Sequence, residues 1–118
     1  LFHQIKTHTI MFSFFKTKKN YQNVNAETFK QLLADTPQAV VIDVRTPAEV
    51  RSGAIKGAIN IDLMSVDFQQ KIEKLDKNKT YFVYCRSGNR SGQACNILGN
   101  AGFEHLYNLA GGIMSWPY

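Results

Sequence analysis

Thr80-Tyr81-Phe82-Val83-Tyr84-Cys85-Arg86-Ser87-Gly88-Asn89-Arg90-Ser91 is the stretch that decides the reading of this 118-residue chain. Its first five residues form a short apolar and aromatic run, which predicts a strand buried on both faces. Gly88 and Asn89 both tolerate positive φ and predict a turn. From about Asn89 to Ala101, the residues Ala94, Cys95, Leu98 and Ala101 fall on one helical face, and Gly102 fits the helix end. A strand that turns directly into a helix is the building unit of an α/β fold.

The alternation continues on either side. Asn25 is a good N-cap, Val24 and Phe29 have the spacing of a hydrophobic staple, and Phe29, Leu32 and Leu33 give the helix its apolar face. Thr36-Pro37 breaks that helix. Ala39-Val40-Val41-Ile42-Asp43-Val44 predicts a second buried strand. Thr46-Pro47-Ala48-Glu49 is a capping box with Pro at the first helical position, so a short helix follows at once. Ala58-Ile59-Asn60-Ile61 reads as a short strand. Residues 65–75, with Val66, Ile72 and Leu75 among polar neighbours, read as a surface helix. His105-Leu106-Tyr107-Asn108-Leu109 is the last strand, and a turn with Gly111-Gly112 closes the chain. This order predicts one α/β domain with a mostly parallel sheet over residues 21–118, after a tail at 1–20. In such sheets ligands bind beyond the carboxyl ends of the strands. Two polar clusters fall there: Asp43-Val44-Arg45 and Cys85-Arg86-Ser87.

The second cluster carries chemistry. Successive backbone N–H groups in a turn of this kind converge into an anion nest, and the helix that follows adds its positive N-terminus. Arg86 and Arg90 add full charges. A free thiol near 8.5 is only about 3% ionised at pH 7, and such donors favour its thiolate. The same donors would bind an anionic substrate and stabilise the anion that leaves. Cys85 is therefore the candidate nucleophile, with Arg86, Ser87, Gly88, Asn89, Arg90 and Ser91 as the candidate substrate-binding loop. Cys95, on the apolar face of the following helix, reads as core.

Composition narrows the function classes. The net charge is +5, from 14 Lys and Arg against 9 Asp and Glu. Lys6, Lys16, Lys18 and Lys19 lie in residues 1–19, which hold no acid, so the rest of the chain is near neutral. The basic balance thus reads as a solvated tail, with no nucleic-acid partner expected. No apolar run approaches the roughly 20 residues of a membrane span, and no stable membrane insertion is expected. Met11-Phe12-Ser13 reads like a natural start, which would make residues 1–10 an upstream or vector-derived extension. The two cysteines, Cys85 and Cys95, have no C-x-x-C spacing, and His3, His8 and His105 do not cluster with them. No metal site or disulfide framework is expected, and two free thiols suit a reducing, cytoplasmic setting. Nothing in the sequence demands more than a monomer.

Beyond these residue-level readings, the chain from about Tyr21 to Trp116 resembles the rhodanese-like domain family. Asp43-Val44-Arg45 with Glu49 is similar to the family's first motif, and Gly53-Ala54-Ile55-Lys56-Gly57-Ala58-Ile59-Asn60-Ile61 to its second. Tyr84-Cys85-Arg86-Ser87-Gly88-Asn89-Arg90-Ser91 resembles the active-site loop. Gly102-Phe103 and Leu109-Ala110-Gly111-Gly112-Ile113-Met114-Ser115-Trp116 resemble the closing motifs. The resemblance implies a three-layer α/β fold, its five-stranded, mostly parallel sheet flanked by helices on both faces. It implies a thiosulfate sulfurtransferase that forms a persulfide at Cys85 without metal or organic cofactor. The donor would be thiosulfate or another persulfide-type anion, and the acceptor a thiol, cyanide or a protein thiol. Asp43 and Arg45 are expected to form a buried ion-pair network with Glu49 that supports the loop. One position departs: Ala54 stands where many members have His, which bears on local packing.

Two rival functions share the fold. Phosphatases and arsenate reductases resemble a Cys and an Arg separated by five residues, whereas four separate Cys85 from Arg90 here, a tighter cup suited to a persulfide sulfur. A catalytically silent interaction module would usually lack the cysteine.

Overall fold

A computed structural model describes residues 20–118. Within them lie five strands: β1 (Gln22–Val24), β2 (Ala39–Asp43), β3 (Ile59–Asn60), β4 (Thr80–Tyr84) and β5 (Leu106–Leu109). The helices are α1 (Ala26–Asp35), α2 (Pro47–Arg51), α3 (Phe68–Glu73) and α4 (Asn89–Asn100), and a 3-10 turn, Ile113–Ser115, follows β5. The strands form one sheet in the order β1-β5-β4-β2-β3, with every neighbouring pair parallel. The basic tail expected over residues 1–19 and the start at Met11 lie outside the described residues.

The period of two along β4 builds the three layers. Tyr81, Val83 and, just past the strand, Cys85 face a cluster with Ile42, Val44, Phe68, Ile72, Ala94, Cys95 and Leu98. Phe82 and Tyr84 face the opposite cluster with Phe29, Val41, Ile55 and Leu109. Helices α3 and α4 thus cover one face and α1 the other. Phe29 of α1 meets Phe82 edge-on at 5.3 Å between ring centroids and Trp116 at 5.6 Å. Each such side chain, fully buried, contributes about 1.5–3 kcal/mol of transfer free energy.

The caps act as the sequence indicates. Asn25 Oδ1 accepts from the Thr28 amide at 2.9 Å and starts α1. Thr46 and Glu49 make both bonds of the capping box that starts α2. Two elements differ from expectation. The strand β1 has no signal in the residues; it exists through its parallel pairing with β5. Helix α3 is shorter than 65–75, and Val66 is fully exposed while Phe68 and Ile72 fill the core.

Strands β2 and β4 lie side by side, yet their carboxyl ends lead to opposite faces. The chain after β2 runs through α2 to Ile55 in the Phe29 cluster, and the chain after β4 enters α4 against the other cluster. This divergence is a topological switch point, where a crevice opens beyond the strand ends. Among the described residues no helix is long and apolar enough to cross a membrane.

Candidate active site

Cys85 is the first residue past β4 and is 1% exposed. The loop after it turns its carbonyls away from the sulfur. The Ile113 amide donates to the Cys85 carbonyl at 2.9 Å and the Met114 amide to that of Arg86 at 3.2 Å. Gly112, at φ 63°, lies so close that a Cβ there would overlap the Arg86 carbonyl. With the carbonyls held, the amides face inward. The Gly88 amide donates to Cys85 Sγ at 3.1 Å, and the Ser91 hydroxyl, from the first turn of α4, donates at 3.4 Å. Gly88 reaches this geometry with φ 107°, open to glycine at little steric cost. Asn89 is already helical, so only Gly88 uses the left-handed region expected of the pair.

Burial alone would push the Cys85 thiol up. Hydrogen bonds from the Ser91 hydroxyl and from the amides of Ser91, Gly88 and Ser87 outweigh it and hold the thiol below its usual value. Cys95 is in the opposite situation: fully buried in the core, its thiol is pushed up to about 12, chiefly by desolvation.

The arginines divide. Arg90 is paired with a carboxylate. Its Nη1 and Nη2 grip Glu49 Oε1 and Oε2 at 2.7 and 2.9 Å, a bidentate bridge between α4 and α2. The Arg90 hydrogen bond, the largest cause, holds the Glu49 carboxyl down at about 2, against a smaller opposing effect of burial. Arg86 is exposed and has no carboxylate partner among the described residues. Ser87 and Asn89 are exposed beside it, while Ser91 is buried.

Support comes from β2, with one correction. Asp43 and Arg45 pair, Nη2 to Oδ2 at 2.7 Å, and both are buried. The Glu49 carboxylate does not join them; its side chain is committed to Arg90, and only its backbone carbonyl accepts from Arg45, at 3.4 Å. Arg45 Nη2 also donates to the Gly53 carbonyl at 2.7 Å. Tyr84, which the sequence reading passed over, completes the network. It stands opposite Asp43 in register, its hydroxyl donates to Asp43 Oδ2 at 2.6 Å and it accepts from the Ile55 amide at 3.0 Å. The available signal was a Tyr in a buried strand directly before the nucleophile, since a buried hydroxyl needs a partner. Asn108 was also passed over; its Nδ2 donates to the Gly88 carbonyl at 3.2 Å. Ala54 is exposed, so it has little bearing on packing. No group of three or more His, Cys, Asp or Glu that could hold a metal occurs among the described residues.

A thiol held below its usual value in an amide cup, at the carboxyl end of a parallel sheet, defines a class: α/β domains built around a cysteine able to act as nucleophile. The chain belongs to the rhodanese-like domain family, whose model matches residues 25–117. It is 37% identical over 93 residues to a sulfurtransferase of Allochromatium vinosum, covering 79% of this chain and 85% of that one. It is 39% identical over 97 residues to a tRNA uridine(34) hydroxylase of Acaryochloris marina, covering 79% of this chain but 31% of that protein. Among solved structures, a rhodanese-related protein of Thermoplasma volcanium superposes with a TM-score of 0.70 at 33% identity, covering 81% of this chain and 90% of that one.

Proposed function

We propose that this protein is a sulfurtransferase that carries a sulfane sulfur as a persulfide on Cys85, taking it from thiosulfate or a similar anion. The observation that carries the reading is the sulfur's setting. Cys85 is buried, yet the Gly88 amide and the Ser91 hydroxyl favour its thiolate over its thiol. Family membership and the sulfurtransferase among its relatives support sulfur transfer in general.

In the first step the thiolate attacks the outer sulfur of thiosulfate. The sulfur–sulfur bond of the donor breaks, and sulfite leaves with the bonding electrons. In the second, a cyanide or thiolate acceptor attacks the outer sulfur of the persulfide, and Cys85 leaves as thiolate, ready for another cycle. No net oxidation of the protein occurs, and ping-pong kinetics follow. The inward amides stabilise negative charge on either sulfur. Arg86, exposed and without a carboxylate partner among the described residues, would draw in the anionic donor.

A phosphatase or arsenate reductase would want a guanidinium over the bound oxyanion. Arg90 is held by Glu49 instead, which favours sulfur transfer. A silent interaction module has no use for a thiol held below its usual value. The hydroxylase relative is about three times the matched length, so its activity does not carry over to this chain.

Mass spectrometry after incubation with thiosulfate tests the reading. One sulfur should be gained on Cys85 and lost again on adding cyanide. No adduct in the wild type, or the same adduct in Cys85→Ser, would sink it.

A further inference from the structure

The sulfur's closest donor is the amide of Gly88, a residue with no side chain to fix its orientation. Asn108, in the middle of β5, is 4% exposed. Its Nδ2 donates to two oxygens, Gly88 O at 3.2 Å and Asn23 Oδ1 at 2.8 Å. Two acceptors fix the amide's orientation, because a flip would turn its oxygen against the Gly88 carbonyl. That oxygen, Oδ1, is buried and has no partner among the described residues. A buried acceptor without a partner is a net cost to folding, so stability alone does not account for an amide side chain here.

We propose that Asn108 is a positioning residue for the reacting sulfur: by holding the Gly88 carbonyl from β5, it aims the Gly88 amide at Cys85 Sγ. The Gly88 carbonyl and amide lie in successive peptide planes joined at its Cα, so a bond from Asn108 Nδ2 to the carbonyl narrows the φ and ψ through which the amide reaches Sγ. The Gly88 carbonyl also accepts from the Gly92 amide at 3.1 Å, the first bond of α4, so Asn108 is its second donor and the one that ties it to the sheet; the carbonyls of Cys85 and Arg86, which precede it, are held by Ile113 and Met114. Gly88 in its left-handed conformation marks the change from loop to helix, where a small rotation would swing its N–H off the sulfur.

The inference rests on Cys85 as the reacting sulfur but is tested without sulfur transfer. The rate of Cys85 alkylation by iodoacetamide is followed against pH, using intact protein and peptide mapping. Cys95 is silent under native conditions because it lies in the core with no donor to its sulfur among the described residues, its thiol pushed up to about 12, and peptide mapping separates it from Cys85. The charged groups on the elements about the loop are Arg86 on the loop itself, Arg90 with Glu49, the Asp43–Arg45 pair, and Asp62 after β3. The substitutions leave all of them in place.

Asn108→Leu should slow alkylation at pH 6.5 about fivefold and move the profile to higher pH, with the melting temperature unchanged or raised. Asn108→Thr, which suits a strand but stops one bond short of the Gly88 carbonyl, should move the profile the same way if the Leu variant folds poorly. Asn23→Ala breaks only the other bond and should stay within twofold of the wild type. A folded Leu or Thr variant that tracks the wild-type profile would overturn the proposal. So would an equal shift in Asn23→Ala, because the effect would then come from β1 packing rather than from Gly88. A wild type that takes no sulfur from thiosulfate bears on the function and leaves this readout intact.

Discussion

At the scale of single residues, the reactivity of Cys85 is a contest between burial and donors. Removing one donor should tilt it toward the thiol. Ser91→Ala deletes the hydroxyl at 3.4 Å. A hydrogen bond to an anion contributes about 1.5–3 kcal/mol, so alkylation of Cys85 at pH 6.5 should slow about tenfold or more. Stopped-flow measurement of iodoacetamide consumption reads this directly. Arg86→Ala should act differently, because Arg86 is exposed and its proposed role is to meet the donor rather than the sulfur. Its expected signature is a KM for thiosulfate raised about tenfold with kcat near that of the wild type; equal activity at low and saturating donor would contradict that role. The thiol, Gly88 and the two serines could all be read from the loop's own sequence, since their geometry is local. The diversion of Arg90 could not: its partner Glu49 is 41 residues away. Tyr84 and Asn108 were hidden for the same reason, each being ordinary until the fold brings Asp43 or Gly88 to it.

At the scale of elements, the site is held by a strut and a brace. The strut is the Glu49–Arg90 bridge joining α2 to α4. The Glu49 carboxyl is held at about 2, below its ordinary 4.5. A depressed carboxylate contributes stability that is complete above its unfolded value and is lost as pH falls through the folded one. The difference in melting temperature between wild type and Glu49→Gln should therefore be full above about pH 4.5 and close as pH approaches 2. A partly exposed pair of this kind contributes on the order of 1 kcal/mol or less. The brace is the turn at Gly112 to Met114, which holds two loop carbonyls. Gly112→Ala forces a Cβ against the Arg86 carbonyl in a left-handed conformation. It should cost about 1–3 kcal/mol in urea unfolding and reduce persulfide loading as well. Strand β4 was legible to the residue because a buried parallel strand reads as an unbroken apolar run. Three-residue β1 was not, since its pairing with β5 spans most of the domain. The α3 segment was read too long because Val66 was counted among its apolar residues, whereas it lies before the helix and is fully exposed.

At the scale of the whole molecule, one sheet separates two apolar clusters, and each odd or even residue of β4 belongs to one of them. Stability and chemistry should be separable across that plane. Phe82→Ala, on the face away from Cys85, should cost about 3–5 kcal/mol in denaturant unfolding. Below its lowered melting temperature, the same variant should alkylate at Cys85 with the wild-type pH profile. The parallel sheet followed from the order of runs and turns, the flanking layers from the family resemblance, and the crevice from the ends of β2 and β4. The sheet's strand order did not, because it depends on crossovers between distant segments. The buried Cys95 carries a last consequence for life under oxidative stress. With its thiol pushed up to about 12 and closed off from solvent, it is no resolving partner for Cys85. An oxidant that converts Cys85 to sulfenic acid meets no internal rescue, and a second equivalent carries it to the irreversible sulfinic acid unless an outside thiol arrives first. Peroxide inactivation should thus be reversible early and permanent late, with Cys85 and not Cys95 gaining oxygen by peptide mass.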